Sequence, residues 1–452
     1  MHKVLYHYDI YPKVFLGDCE QTVTIQPLGT HVKFRSDVEY QVEIIAVAEG
    51  NQRFFPERNS SRYINVKISE DGCLRICTVW NGEGEHLIFV REEKETNPIL
   101  RCSVYSLYSD MAGRIPLRGD LHMHTCESDG KEGPAFVAAH YRGYGYDFLA
   151  ITDHYSYYPS LEAMEALDGV SDFTLVPGEE VHSPFNDLHY VNFGGTYSIN
   201  ALITPNPNQK KAGDDLKYRS INGVAPETMS KDEFKEMLHQ RAKTVELEHE
   251  SERLWYVNLE WIYEHIKKNE GLGIFVHPDW RCPAVHVPEE FTEFIYKKRP
   301  FDAFEVLGGE SMFSHNGYQT AFYYEMKAQG YDYPIVGSTD SHGCTEYNAN
   351  ACICSTIVFA KENTKEALIQ AIKEKHSVAV DTISKEYRLV GDYRLMKYAS
   401  FLMEYYFPLH DEVCKAEGYY LGRYLAGDEK AKEILAAMKG QIPAMQQKYI
   451  AV

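Results

Sequence analysis

The constraint that shapes this chain is a recurrence: short apolar runs that end, one after another, in His, Asp or Glu. From about Leu117 onward these runs alternate with helix-period segments. Pro134 opens one helix, as proline does at a first helical position. Phe136, Val137 and Ala139 follow on its inner side, and Gly143 and Gly145 close it. The runs Asp120–His124, Asp147–Thr152, Phe173–Val176, His189–Phe193, Gly273–Val276, Phe301–Val306 and Tyr333–Val336 are compact and apolar, as strands covered on both faces are. Such alternation predicts an α/β domain with a parallel sheet, open or closed into a barrel.

The first ~115 residues differ in texture. Thr22–Ile25, Tyr40–Ala46, Tyr63–Ile68, Cys73–Val79 and His86–Val90 are short, β-branched and roughly alternating, with turn formers between them. That pattern predicts an antiparallel, sandwich-like accessory domain over 1–115. The α/β domain then spans 116–385, interrupted by a polar, charged stretch over 196–260 that reads as a helical insertion. Residues 386–452, with helical spacing in Leu395–Tyr406 and Lys430–Met438, read as a helical C-terminal appendage packed on the barrel or on a partner subunit. Homo-oligomerisation through the N-terminal domain or the tail is the corresponding expectation.

Charge and composition narrow the partners. Of 452 residues, 66 are Asp or Glu and 46 Lys or Arg, a net charge of −20. An acidic excess repels extended phosphate backbones and anionic lipid, so nucleic acid and membrane are not expected partners. No run approaches the ~20 apolar residues of a membrane span, and the start MHKVLYHYDIYPKVF has no signal pattern. The ten cysteines follow no regular spacing and form no CxxC pair, so a reduced, cytoplasmic protein is expected.

The chemistry lies at the strand ends. His122 and His124 are two apart and share a face of their strand, with Leu121 and Met123 on the other. Asp129 follows in Ser128-Asp129-Gly130. His154 ends the next strand in Thr152-Asp153-His154, and Glu180 the next in Pro177-Gly178-Glu179-Glu180. His189 begins one strand and His277 ends another. Asp340 and His342 close the series in Asp340-Ser341-His342. In an α/β barrel these ends form one rim. Nine nitrogen and oxygen donors suit Zn²⁺, Mn²⁺ or Fe²⁺ and exceed what one ion takes. Cys126, Cys282 and Cys344 flank these motifs and read as packing residues. His182, His286 and the other histidines read as surface or core.

Leu121-His122-Met123-His124-Thr125, Ser128-Asp129-Gly130, Ile151-Thr152-Asp153-His154, Pro177-Gly178-Glu179-Glu180, His277-Pro278 and Asp340-Ser341-His342 together resemble the PHP (polymerase and histidinol phosphatase) superfamily over about 119–385. The resemblance implies a distorted (β/α)7 barrel and a trinuclear metal site that cleaves phosphoesters. It would place His122, His124, Glu180 and Asp340 on one ion. Glu180, His189 and His277 would hold a second, with the glutamate bridging, and Asp129, His154 and His342 a third. Pro-Gly-X before the glutamate selects Glu180 over Glu179.

The expected activity is hydrolysis of a small phosphorylated metabolite or nucleotide by a metal-bridging hydroxide, formed because bound metal lowers the pKa of water toward ~7. Arg281 is the candidate cation for the phosphoryl oxygens, with Arg142 weaker. Asp153 is the candidate to orient His154 or donate a proton, and His315 to line the pocket. The alternatives are a PHP-type nuclease, a C–N or C–O bond hydrolase, and a non-catalytic metal-dependent binding protein.

Overall fold

The computed structural model describes all residues except 1–3, 52, 59–60, 93–94, 187, 205–218, 225–226, 282, 309–312, 346–350, 352 and 383–387. The chain divides into two compact units. One comprises Met1–Ile115, Tyr393–Val413 and Gly440–Val452; the other comprises Pro116–Asp392 and Cys414–Lys439.

The first unit holds two sheets. Tyr8–Tyr11, Cys19–Pro27 and Leu74–Trp80 form a three-stranded antiparallel sheet. The second sheet runs in the order Ile450–Ala451, Val14–Leu16, Leu100–Leu107, Gly84–Glu92, Tyr40–Ala46, Arg62–Val66. Alternation places one side of each strand inside: along Gly84–Glu92 buried and half-buried positions alternate. Val23, Ile25 and Ile76 from one sheet and Val42, Ile88 and Val104 from the other share one core with Phe15 and Trp80. The end of the chain returns to this unit, where Ile450–Ala451 pairs in parallel with Val14–Leu16.

The second unit is a mixed α/β structure. One sheet has the order Thr174–Val176, Phe148–Ala150, Ile115–Asp120, Cys354–Ala360, Ser377–Asp381, Arg388–Val390, and the other Gly178–Val181, Tyr190–Phe193, Leu272–Phe275, Ala303–Leu307, Ile335–Gly337. The expectation of an all-parallel sheet is corrected here. Tyr190–Phe193 runs antiparallel to both its neighbours, because the short connection from Gly178–Val181 makes a hairpin rather than a helical crossover. Ser377–Asp381 is antiparallel to its neighbours too.

No closed barrel of continuous strand pairing forms among the described residues. The two sheets meet instead through isolated bridges, Met123 to Ser341 and His154 to Glu180. Hydrogen bonds from His124 N to Ser341 O (2.8 Å), Asp340 N to His122 O (2.8 Å) and Glu180 N to Thr152 O (3.0 Å) reinforce these seams. The strand expected over Asp120–His124 ends at Asp120, so His122 and His124 flank the bridging Met123.

Helices fill the remaining faces. Pro134–Gly143 starts with proline in its first turn, as expected. Within 196–260, residues 205–218 and 225–226 lie outside the described residues. The rest includes Lys231–Ala242, started by a reciprocal Ser230/Glu233 cap, and the first part of Glu250–Lys268. Phe234, Leu238, Val257, Trp261 and Ile262 from these helices join the core around Tyr190, Phe275 and Phe304, so this stretch is a structural part of the unit. The C-terminal region is helical over Tyr393–Tyr405, Phe407–Leu425, Glu429–Met438 and Gln441–Tyr449. No helix among the described residues is long and apolar enough to cross a membrane.

Candidate metal centre

The seams between the two sheets bring the strand-end donors together around Glu180. Its carboxylate is fully buried, and neither oxygen has a hydrogen-bond partner. Six imidazoles face it. His154 Nδ1 lies 2.6 Å from Oε2, followed by His124 Nε2 at 3.5 Å, His122 Nε2 at 3.6 Å and His182 Nε2 at 3.7 Å. His189 Nδ1 is 2.9 Å and His277 Nε2 3.5 Å from Oε1. Asp340 Oδ1 stands 2.8 Å from His124 Nε2 and 3.3 Å from His122 Nε2.

A second focus surrounds Asp129. His342 Nε2 is 3.3 Å, His154 Nε2 3.5 Å and His124 Nδ1 4.0 Å from its carboxylate oxygens. All nine metal-ligand candidates therefore converge. His124, expected on one ion, faces both foci, one nitrogen to each. The centre grades from dry to wet: the Glu180 side chain is 0% exposed, Asp340 15% and Asp129 55%. The centre is most open to solvent at Asp129 and His342.

Electrostatics match a site built for positive charge. Burial alone would raise Glu180, but His154, His189 and His122 outweigh it and hold the carboxyl well below its usual range. Asp129 behaves alike through His154 and His342. Burial lowers His154, yet Glu180 and Asp129 win and lift it to about 10. His124 goes the other way: burial, with His154 beside it, pushes it down to about 3. Backbone strain gathers here too. Tyr155, His277 and Asp340 have φ of 59°, 26° and 45°, left-handed conformations that non-glycine residues hold only where surrounding structure imposes them.

Glu179 points elsewhere. Ser198 Oγ (2.7 Å), Asn200 Nδ2 (2.9 Å), Asn192 Nδ2 (3.1 Å) and the Ile199 N–H donate to its carboxylate. Asp153 accepts from Thr125 N (2.8 Å), Thr125 Oγ1 (2.7 Å) and Ser128 Oγ (2.5 Å), so its carboxylate organises the turn that carries Asp129. Arg281 lays its guanidinium 5.0 Å from the centroid of Tyr318, with Nε buried and without a hydrogen-bond partner. Arg142 is fully buried and tied to Glu417 (2.8 Å) and Asp147 (3.3 Å). His315 is 1% exposed, and neither ring nitrogen has a hydrogen-bond partner. Of the flanking cysteines, Cys126 is exposed and Cys344 buried, and Cys282 lies outside the described residues.

Two residues at this centre escaped the sequence reading. Glu305 Oε2 lies 3.0 Å from His122 Nδ1 and sets the orientation of that ring. Its signal was a lone carboxylate inside the apolar run Ala303–Leu307. His182 joins His154 and Glu180 as a group that could hold a cation. Its signal was the two-residue spacing from Glu180, which puts both on one face.

No family model and no curated protein matches the chain. Among solved structures, it is similar to a two-domain protein from Bacteroides vulgatus containing a predicted PHP-like metal-dependent phosphoesterase. That match has 15% identity and a TM-score of 0.39, over 59% of this chain and 65% of that one, a little under two thirds of its length. A protein from Bifidobacterium adolescentis named as a metal-dependent phosphoesterase matches at 15% identity and TM-score 0.31, over 51% of this chain and 90% of that one. An amidohydrolase from Chromobacterium violaceum with bound sulfate matches at 14% and 0.31, over 51% and 89%. With overlaps this low, the functional reading stands on the side chains.

Proposed function

We propose that the protein is a metal-dependent phosphoesterase that hydrolyses a small phosphorylated metabolite or nucleotide. The observation that carries this is the Glu180 carboxylate: wholly buried, without a hydrogen-bond partner, and faced by six imidazoles. A buried carboxylate left without donors costs several kcal/mol unless a cation meets it. His122 Nε2 and His124 Nδ1, which face Glu180 and Asp129, are buried and without hydrogen-bond partners as well, so the donor set fits divalent cations. His122, His124, Glu180 and Asp340 would hold one, Glu180, His189 and His277 a second, and Asp129, His154 and His342 a third. The five strands of the sheet that begins with Gly178–Val181, joined through the two seams to Ile115–Asp120 and Phe148–Ala150, read as the seven-stranded distorted barrel that the resemblance implies.

Divalent cations held here would supply Lewis-acid polarisation and neutralise charge on the phosphoryl oxygens. The chain contributes the rest. Glu305 orients His122, and Asp153 holds the Thr125–Ser128 turn so that Asp129 faces His154 and His342. Arg281, its Nε without a partner, is the protein cation available to a phosphoryl oxygen. Residues 116–385 would carry the chemistry. The net charge of −20 disfavours an extended polyanion while leaving a compact ester free to enter, because screening is nearly complete beyond ~8 Å.

The test is phosphate release from an aryl phosphate, sugar phosphates and nucleoside monophosphates, with Mn²⁺ or Zn²⁺ added and His122→Ala as control. Metal-dependent release that the control lacks is the expected result. Equal rates in the control, cleavage confined to DNA, or hydrolysis of amides with no ester turnover would overturn it. Arg281→Ala should slow the best ester roughly ten- to a hundredfold, the worth of one charge-assisted contact.

A further inference from the structure

His182 is two residues beyond Glu180, with its side chain 10% exposed. Its Nε2 lies 2.7 Å from His154 Nδ1 in hydrogen-bond geometry. The ring packs against Tyr155 at 4.4 Å and His189 at 4.3 Å between centroids. Its backbone is pinned as well. The His182 N–H donates to Asn200 Oδ1 (2.9 Å), while Asn200 Nδ2 donates to the Glu180 carbonyl (3.0 Å) and to Glu179 Oε2 (2.9 Å). Glu179, outside the metal centre, thus anchors the segment that fixes where His182 sits.

A neutral imidazole has one proton for two nitrogens. His154 turns Nε2 toward Asp129 (3.5 Å) and Nδ1 toward His182. Glu180 Oε2 is nearer still, 2.6 Å from Nδ1, but the metal-centre reading commits that carboxylate to two cations, which leaves His182 as the acceptor. A cation donor must offer a lone pair. For Nε2 to serve beside Asp129 and His342, the proton of His154 must sit on Nδ1, and His182 Nε2 is the atom placed to accept it.

We infer that His182 is a positioning residue: it accepts the Nδ1 proton of His154 and so holds the tautomer and ring orientation in which Nε2 is available to a cation beside Asp129 and His342. This rests on the metal-centre reading above. Imidazoles that bind metals regularly hand their other N–H to an acceptor, and loss of that acceptor typically weakens metal affinity about ten- to a hundredfold.

The experiment is a chelator-competition titration of the full chain with Co²⁺, following its visible absorption, for the parent, His182→Leu and His182→Gln. Leucine removes the acceptor, and should weaken one Co²⁺ site about ten- to a hundredfold and change its absorption. Glutamine keeps an acceptor oxygen and should retain affinity within a few fold, a rescue that lost packing alone would not give. Unchanged affinity in His182→Leu overturns the inference. So does equal loss of a whole Co²⁺ equivalent in both variants, which would make His182 a donor itself. A parent that binds no Co²⁺ overturns the metal-centre reading instead.

Discussion

Glu179 and Glu180, adjacent in the chain and both fully buried, face opposite sides of the Gly178–Val181 strand: one is filled with hydrogen bonds, the other with imidazoles. Substituting each by glutamine should therefore fail in different ways. Glu180→Gln removes a charge shared among the histidines, and should lose at least one metal equivalent together with activity. Glu179→Gln turns an amide N–H toward groups that are themselves donors. It should cost about 1–3 kcal/mol of stability while leaving metal stoichiometry intact. Elemental analysis and urea unfolding of both variants check this; reversed results would move the centre to Glu179.

Metal removal should destabilise the fold. A ligand that binds only the native state stabilises it by about 2.7 kcal/mol at a hundredfold excess over Kd. Thermal unfolding with Mn²⁺ or Zn²⁺ should fall to a lower Tm on adding EDTA, with two to three equivalents lost per chain. In Glu180→Gln the EDTA effect should shrink. An unshifted Tm in the parent would count against a tight cation cluster.

Arg142 and Glu417 test the scaffold apart from the chemistry. The pair is buried where two helices cross at Gly143 and Gly418, so close that a Cβ on Gly418 would stand 2.4 Å from the Gly143 backbone. Glu417→Leu leaves the buried guanidinium with Asp147 as its one carboxylate beside the Tyr146 carbonyl, and should cost about 3–5 kcal/mol. Activity per folded molecule should stay at the parent level, since Arg142 is committed to this pair. Unfolding midpoints and specific activity, measured together, decide it.

Lys13 makes the N-terminal unit pH-sensitive. It is 2% exposed, with Nζ 4.7 Å from the Tyr449 ring centroid, and burial pushes its ammonium down to about 8 despite Asp9. Below pH 8 the lysine is charged in both states, and the native state bears the whole desolvation cost. Between pH 8 and 10 the native state has shed a proton that the unfolded chain still binds. Stability should therefore rise with pH, by up to about 1.4 kcal/mol per unit. Buried Cys102, pushed up to about 12 by burial, titrates in the opposite sense, so the readout is the difference: urea midpoints of the parent relative to Lys13→Met should rise from pH 7.5 through 8.5 to 9.5.

Much of the centre was legible because strand geometry is local. Residues two apart share a face of an extended chain, and His122 and His124, though past the strand that ends at Asp120, still flank the bridging Met123, so they could be paired from the chain alone, and a donor at the end of each apolar run is countable without knowing the neighbours. The same rule holds for Glu180 and His182, which lie 3.7 Å apart. What tertiary structure alone decided is which strands became neighbours. That Tyr190–Phe193 runs antiparallel, that the last residues return beside Val14–Leu16, that Glu305 reaches His122 across 183 positions of sequence, and that Asp153 serves Thr125 and Ser128 are all long-range pairings. Alternation along a strand is set by neighbouring residues, whereas pairing between strands is chosen by how the whole chain buries its apolar faces and satisfies its backbone groups.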